Sequence, residues 1–219
     1  MKTAIVIPAF NEALLLRKTL TNVRASGFDW IIVVDDGSTD DTARIGAEMA
    51  TVVRHPINRG MGAALVSGTQ HALRNGADCI VHFDADGQHT ASEIERLVAP
   101  IRNGKADIVL GSRYLQPNKL PFTKKYLIHR PALLFQNLLT GLKLTDVHNG
   151  FRAMNRTAAE QIIITQDRMA HASEIVSEVA RNRLRYLEVP VTISYHEYGQ
   201  GFAAGVRIMK DLLVKKILK

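Results

Sequence analysis

The sequence predicts an α/β fold, a mostly parallel sheet with helices on both faces and a decorated C-terminal third. Three observations carry that reading. Short aliphatic runs alternate with segments of helical spacing through the first half of the chain. Polar clusters follow those runs, at 8–12, 35–40 and 84–89, where open parallel sheets bind ligands. The 219 residues, 46% hydrophobic and 22% charged, suffice for a buried core without disulfide or metal.

The elements follow in order. Residues 4–7, 31–34, 79–83 and 108–110 read as buried strands. Between them, 12–26, 41–49, 62–74 and 92–102 have helical spacing. Ser38 and Thr39 are placed to cap the second helix, and Thr90 with Glu93 to form a capping box on the fourth. After Gly111 the pattern changes. A basic loop with two prolines, 116–125, leads into the leucine-rich 126–144, which His129, Arg130 and Pro131 interrupt. The loop 146–152, a helix near 173–182 and a strand near 189–195 come next. A basic amphipathic tail then carries Met209, Leu212, Leu213 and Ile217 on one face. No repeat or low-complexity linker divides the chain, so one domain is expected over 1–219.

Composition narrows the function classes. Cys79 is the single cysteine, which excludes an internal disulfide framework and a Cys-rich zinc module and fits a reducing compartment. The first residues, MKTAIVIPAFNE, lack the apolar core and cleavage site of a secretory signal, and no run approaches 18 uncharged apolar residues. A cytoplasmic protein is expected. The net charge of +7 is uneven. Residues 108–145 contain no Asp or Glu but carry Arg113, Lys119, Lys124, Lys125, Arg130 and Lys143. The tail, 198–219, adds Arg207, Lys210, Lys215, Lys216 and Lys219 against Asp211. For the tail alone a solvated face is the plainer reading, while the acid-free run suits phosphate on a nucleotide, a nucleic acid or a lipid head group. Nucleic acid is disfavoured by the adjoining acidic clusters and by an aromatic content of 6%. No G-x-S-x-G, Walker loop or H-E-x-x-H is present.

The acidic clusters carry the chemistry. Asp84-Ala85-Asp86 ends a strand, where alternate carboxylates converge on one hard cation, Mg²⁺ or Mn²⁺, that in turn binds phosphates. Gln88 adds a third oxygen; His89 reads as a neighbour, since oxygen ligands suit these ions better. The plain alternative is a pair of turn formers and a helix cap. In Asp35-Asp36-Gly37-Ser38, a carboxylate can accept hydrogen bonds from a nucleobase edge or ribose, or can shape a turn and cap a helix. The segment NRGMGAAL fails the dinucleotide pattern because Leu65 replaces its third glycine. It reads as tight strand–helix packing with a helix N-terminus near phosphate.

Taken together, PAFNE at 8–12, VDDGSTDDT at 34–42, NRGMGAAL at 58–65, FDADGQH at 83–89 and GSRY at 111–114 resemble the family 2 glycosyltransferases. HNGFRAM at 148–154 resembles their dolichol-phosphate mannosyltransferase-like, polyprenyl-phosphate branch. The resemblance implies a GT-A fold with a Rossmann-like sheet and inverting transfer from a nucleotide-diphosphate sugar. A donor-binding half over about 1–114 and an acceptor- and membrane-facing part over about 115–219 are expected. By motif, Pro8, Phe10, Glu12, Val34 and Asp36 would surround the nucleoside. Asp84, Ala85 and Asp86 would hold the diphosphate through the metal, Gln88 would be a further metal ligand, and Arg113 would contact phosphate. Glu174 occupies the family's acidic helix position, with a role in placing acceptor or sugar; an ordinary exposed Glu is the alternative. His196 and Phe202, in YHEYGQGF, stand where the family offers a phosphate-binding Arg and Lys, which leaves the sugar open. The Q-x-x-R-W of processive synthases is missing.

A lipid phosphate agrees with this chemistry. A sugar hydroxyl needs a general base, whereas a phosphate monoester, with a second pKa of roughly 6, is already anionic. It needs orientation and positive charge, with Arg130 and Arg152 as candidate contacts. The expectation is an enzyme moving sugar to dolichyl or undecaprenyl phosphate at the inner membrane face, recruited by anionic lipid or by a small membrane-protein partner. The alternatives are transfer to a saccharide hydroxyl of a lipid-linked glycan, or a donor-binding subunit of a membrane complex.

Overall fold

The computed structural model describes residues 1–116, 130–147, 149–168 and 170–194. A seven-stranded sheet runs in the order β3-β2-β1-β4-β6-β5-β7. Its strands are β1 (Thr3–Ala9), β2 (Ile31–Asp35), β3 (Thr51–Arg54), β4 (Cys79–His82), β5 (Ile108–Ser112), β6 (Arg152–Asn155) and β7 (Tyr186–Pro190). All pairings are parallel except those of β6, which runs antiparallel to β4 and β5. The helices are α1 (Ala13–Ala25), α2 (Thr42–Met49), α3 (Met61–Arg74), α4 (Ile94–Arg102), α5 (Arg130–Thr140), α6 (Arg156–Gln161) and α7 (His171–Arg181).

Alternation along the strands builds two cores. Ile5, Ile7, Val33, Val81 and Phe83 pack with Leu16, Leu20, Leu97 and Ile101 of α1 and α4. Ala4, Val6, Ile32, Val34 and Ile80 pack on the other face with Ala64, Leu65, Ile175 and Val179 of α3 and α7. Burial on both faces explains why these strands are continuous apolar runs. Gly68 lets α3 lie on the sheet, since a Cβ there would collide with Val6 and Val34. Within NRGMGAAL, Ala64 and Leu65 are buried against this face, the tight strand–helix packing expected of that segment.

Several local expectations are corrected. β3 and β6 have no counterpart among the expected strands: β3 lies at a half-exposed edge, and β6 carries the charged Arg152 inward. β7 begins earlier than expected, because its side of the sheet pairs Tyr186–Pro190 with β5; Ile193 makes only an isolated bridge to His89. Ser38 does not cap α2. Its hydroxyl accepts from Asn11 N–H, while Asp40 accepts from Thr42 N–H at 3.0 Å. Thr90 makes no capping bond either, and Glu93 instead accepts from Thr192. Within 126–144, helix α5 runs from Arg130 to Thr140, with Arg130 and Pro131 as its first residues, and 126–129 lie outside the described residues.

Candidate active site

Strand order turns back between β1 and β4, and the crevice outside the carboxyl ends there is the position for a ligand. On the β1 side, Asn11 adopts φ +55° and its side-chain oxygen accepts from Thr39 N–H at 3.0 Å, tying the 10–12 turn to the end of β2. Phe10 is 45% exposed beside this turn, whereas Pro8 and Val34 are buried. Val34 packs under Gly68 of α3, so it can offer a ligand only backbone. Glu12 is half-buried. Burial raises its pKa above the usual carboxylate range, and the negative charges of Asp86, Asp40 and Asp84 raise it further.

Asp36, expected at the nucleoside, is 3% exposed and turned toward the chain itself. One carboxylate oxygen accepts from Arg59 N–H at 3.0 Å and meets His55 Nδ1 at 2.6 Å; the other accepts from Gly60 N–H at 2.6 Å. His55 Nε2 in turn meets Ser67 Oγ at 2.8 Å. Asp35 accepts from Ser38 N–H and pairs with Arg54. The α3 N-terminus is no open phosphate site. Ala63 N–H is taken by Asp167 O, and a Cβ on Gly62 would strike Gln166 O.

Asp84 and Asp86 follow the end of β4. Asp86 Oδ1 accepts from Gln88 N–H at 3.0 Å. Asp84 Oδ2 meets His89 Nε2 at 3.0 Å, and the His89 ring packs between Phe83 and Phe151. Burial pushes the Asp84 carboxyl up, but its bond to His89 and the charges of His89, Arg152 and His171 outweigh that and hold it below the usual range. Ala85 is buried, and its carbonyl accepts from Thr19 Oγ1. Among the described residues no three His, Cys, Asp or Glu side chains close into a metal cage. Two carboxylates whose negative charge is felt at Glu12 nevertheless fit a hard cation that completes its shell with amide, water and phosphate oxygens.

Three further expected residues make contacts within the protein. Arg113 is 13% exposed and engages the Asp146 carboxylate through Nε at 2.6 Å and Nη2 at 2.8 Å, with its backbone N–H adding a third bond. Asp146 is the first acid after the acid-free stretch, so one of that stretch's charges is matched locally. Arg152, expected at an acceptor phosphate, is 2% exposed and donates to Gly150 O and Asn149 O. Burial brings its pKa down to about 10, opposed by Asp84 and Asp146. It shares this buried layer with His82 and with His171, which burial and the Arg152 charge bring down to about 4. Glu174 is bonded to the chain just before its own helix. Its carboxylate accepts from Thr165 N–H, Gln166 N–H and Thr165 Oγ1, fixing the 165–167 turn that covers the α3 N-terminus. Arg130 opens α5, but its side chain, like Lys119, Lys124, Lys125, His148, His196, Phe202 and the basic tail, lies outside the described residues.

The family model described as glycosyl transferase family 2 matches residues 4–163, the whole span from β1 through β4, Asp84–Asp86 and Arg113 to α6. The chain belongs to the family 2 glycosyltransferases. A UDP-N-acetylglucosamine–dolichyl-phosphate N-acetylglucosaminyltransferase of Methanococcus voltae is 32% identical to this glycosyltransferase over 98% of this chain and 96% of the relative. A polyprenol monophosphomannose synthase of Mycolicibacterium smegmatis is 30% identical over 96% and 84%. Among solved structures, glucosyl-3-phosphoglycerate synthase from Mycobacterium tuberculosis, in complex with Mn²⁺, UDP and phosphoglyceric acid, superposes with a TM-score of 0.77 at 19% identity. That match covers 97% of this chain and 78% of that one. The expected GT-A fold is thus present.

His55, His82, Asp146, Gly150 and His171 surround these candidate residues without having been singled out for the site in the sequence. Asp146 alone had a signal, as the acid that ends the basic stretch. The others act through contacts that sequence spacing does not reveal.

Proposed function

We propose that this glycosyltransferase moves a sugar from a nucleotide-diphosphate donor to a polyprenyl phosphate at the cytoplasmic face of a membrane, inverting the anomeric carbon. The observation that carries this reading is the acidic turn Asp84–Asp86 at the switch between β1 and β4, in a chain similar over nearly its whole length to polyprenyl-phosphate sugar transferases. Phe10 offers a face for the base, Pro8 and Val34 offer backbone, and Glu12 lies beside the ribose. Asp36 contributes by holding the 59–60 amides. Asp84, Asp86 and Gln88 would hold Mg²⁺ or Mn²⁺, which when bound neutralises charge on the diphosphate. Arg113, held by Asp146, meets the same diphosphate. An acceptor phosphate oxygen attacks the anomeric carbon from the face opposite the leaving group, and the bond to the nucleotide diphosphate breaks. No proton has to be removed from the attacking atom, which suits a site where Asp36, Asp84 and Glu174 are engaged by the protein. Glu174 supports the rim of the donor side.

Membrane contact belongs to the acceptor part. On α5, Leu134 and Leu138 are 72% and 83% exposed one turn apart, and Leu139 is 49% exposed. They lie in the acid-free stretch, with Arg130 before and Lys143 after them. Shallow apolar insertion with basic flanks is the pattern of an interfacial helix on anionic lipid. Among the described residues no helix is long and apolar enough to cross a membrane.

The test is incubation with labelled UDP-, GDP- and dTDP-sugars, Mn²⁺ and undecaprenyl or dolichyl phosphate. A single-sugar, acid-labile lipid phosphate is expected. An extended saccharide would move the acceptor to a lipid-linked glycan. No nucleotide diphosphate release from any donor would make the chain a donor-binding subunit.

A further inference from the structure

Glu188 lies on β7, opposite Leu110 of β5, and takes no part in the motifs. Its carboxylate accepts from Thr145 N–H at 3.0 and 2.8 Å, one distance to each oxygen, and from Asp146 N–H at 3.1 Å. Two residues back on the same face of β7, the Tyr186 hydroxyl accepts from Lys143 N–H at 3.0 Å. From β5, the Ser112 hydroxyl bonds the Thr145 hydroxyl at 2.6 Å. The 143–146 segment is therefore fixed along its length by side chains of two paired strands.

What this segment presents is Asp146. Its side chain is 1% exposed and receives three donors from Arg113. Burial pushes the Glu188 carboxyl above its usual range, against the hydrogen bonds that it accepts. A buried carboxylate on the loop and a partly buried one on β7 are a costly way to hold this segment, since apolar packing would do so without desolvating charge. The arrangement makes sense if its product is direction: a guanidinium whose fork is fixed in space, as recognition of a phosphate requires.

We propose that Glu188 is a positioning residue which, through Asp146, sets the orientation of Arg113 toward the donor diphosphate. This rests on the reading of Arg113 as a diphosphate contact. Glu188 touches no substrate, so its effect should appear only in what Arg113 reads. Selectivity for nucleoside diphosphate over monophosphate is that quantity.

The experiment takes whichever of UDP, GDP and dTDP binds the full chain tightest with Mn²⁺, and the matching monophosphate. Affinities are measured by calorimetry for the parent, Glu188→Gln, Arg113→Ala and the double variant. Glu188→Gln is expected to weaken the diphosphate 5- to 10-fold and the monophosphate less than 2-fold. In the Arg113→Ala background it should have no further effect. Glu188→Asp, which keeps the carboxylate, should fall between parent and Gln. If Arg113→Ala weakens the diphosphate but the two losses multiply, or if both nucleotides weaken equally with Glu188→Gln, Glu188 is only structural and the proposal fails alone. If Arg113→Ala leaves diphosphate affinity unchanged, the reading of Arg113 fails and takes the proposal with it. Should the Glu188 variants not fold, hydrogen exchange on the parent decides. Slow exchange at Thr145 and Asp146, slowed further by the diphosphate but not the monophosphate, supports the relay; exchange indifferent to the diphosphate overturns it.

Discussion

The Asp84 carboxylate rests directly on Gly150: a Cβ at position 150 would meet Asp84 Oδ2 at 2.6 Å and Oδ1 at 2.9 Å. The loop before β6 thus forms the floor beneath a carboxylate that ends β4. Gly150→Ala should push that carboxylate out of place. Overpacking of this kind costs about 1–3 kcal/mol of stability. The larger effect expected is on nucleotide binding with Mn²⁺, weakened roughly 10-fold or more, about 1.4 kcal/mol. Unchanged metal-supported affinity in calorimetry would show that the floor can shift without moving Asp84.

Asp86→Asn keeps the oxygen that accepts from Gln88 N–H, so the turn should survive. The charge does not. We expect the ligand-free melting temperature to change little and the tightening of nucleoside diphosphate by Mn²⁺ to disappear. Persistence of that tightening would remove Asp86 from the metal site.

Phe10→Ala tests the base platform. Base–aromatic stacking is worth about 1–3 kcal/mol per base. The expected loss is the same for mono- and diphosphate, because the phosphates lie elsewhere. A loss confined to the diphosphate would contradict the placement.

His171 gives the enzyme an acid-sensitive layer. Its pKa is about 4 when folded, against an ordinary value of 6.5, because burial and then the Arg152 charge oppose protonation. Between those values the unfolded chain binds a proton that the folded chain does not, so stability is full above about pH 6.5 and falls as pH drops toward 4. The loss amounts to about 2–3 kcal/mol. His171→Gln, which retains a donor for Arg168 O, should flatten urea midpoints between pH 7 and 4.5. His82, which burial also pushes down, should keep a remaining slope.

Leu134→Glu with Leu138→Glu should reduce sedimentation with anionic vesicles at low salt. These side chains are already exposed, so melting temperature should hold. Vesicle binding that survives the double change would place membrane contact elsewhere.

The fold was legible wherever a strand is buried on both faces. VIP and IIVV can only be interior, and their flanking helices follow from spacing. RAMN was illegible because Arg152 spends its charge on Gly150 and Asn149 carbonyls inside the sheet, against the expectation that arginine stays outside. Part of the candidate site was equally plain: Asp84 and Asp86 need only their strand. Arg113 was seen but its partner was not, since Asp146 lies 33 residues on and Glu188 a further 42. Asp36 and Glu174 drew attention for their charge. They spend that charge on backbone amides, a use that no spacing rule distinguishes from ligand binding.

The reversed direction of β6 has a consequence for inheritance. Chain leaves the sheet at the end of β5 and returns at the start of β6, on neighbouring rungs where Leu110 faces Arg152. Everything between is a detour whose two ends are pinned side by side at the rim. The ladder tolerates a change of length in that detour only where Asp146 and Gly150, which meet Glu188 and Asp84, stay in place.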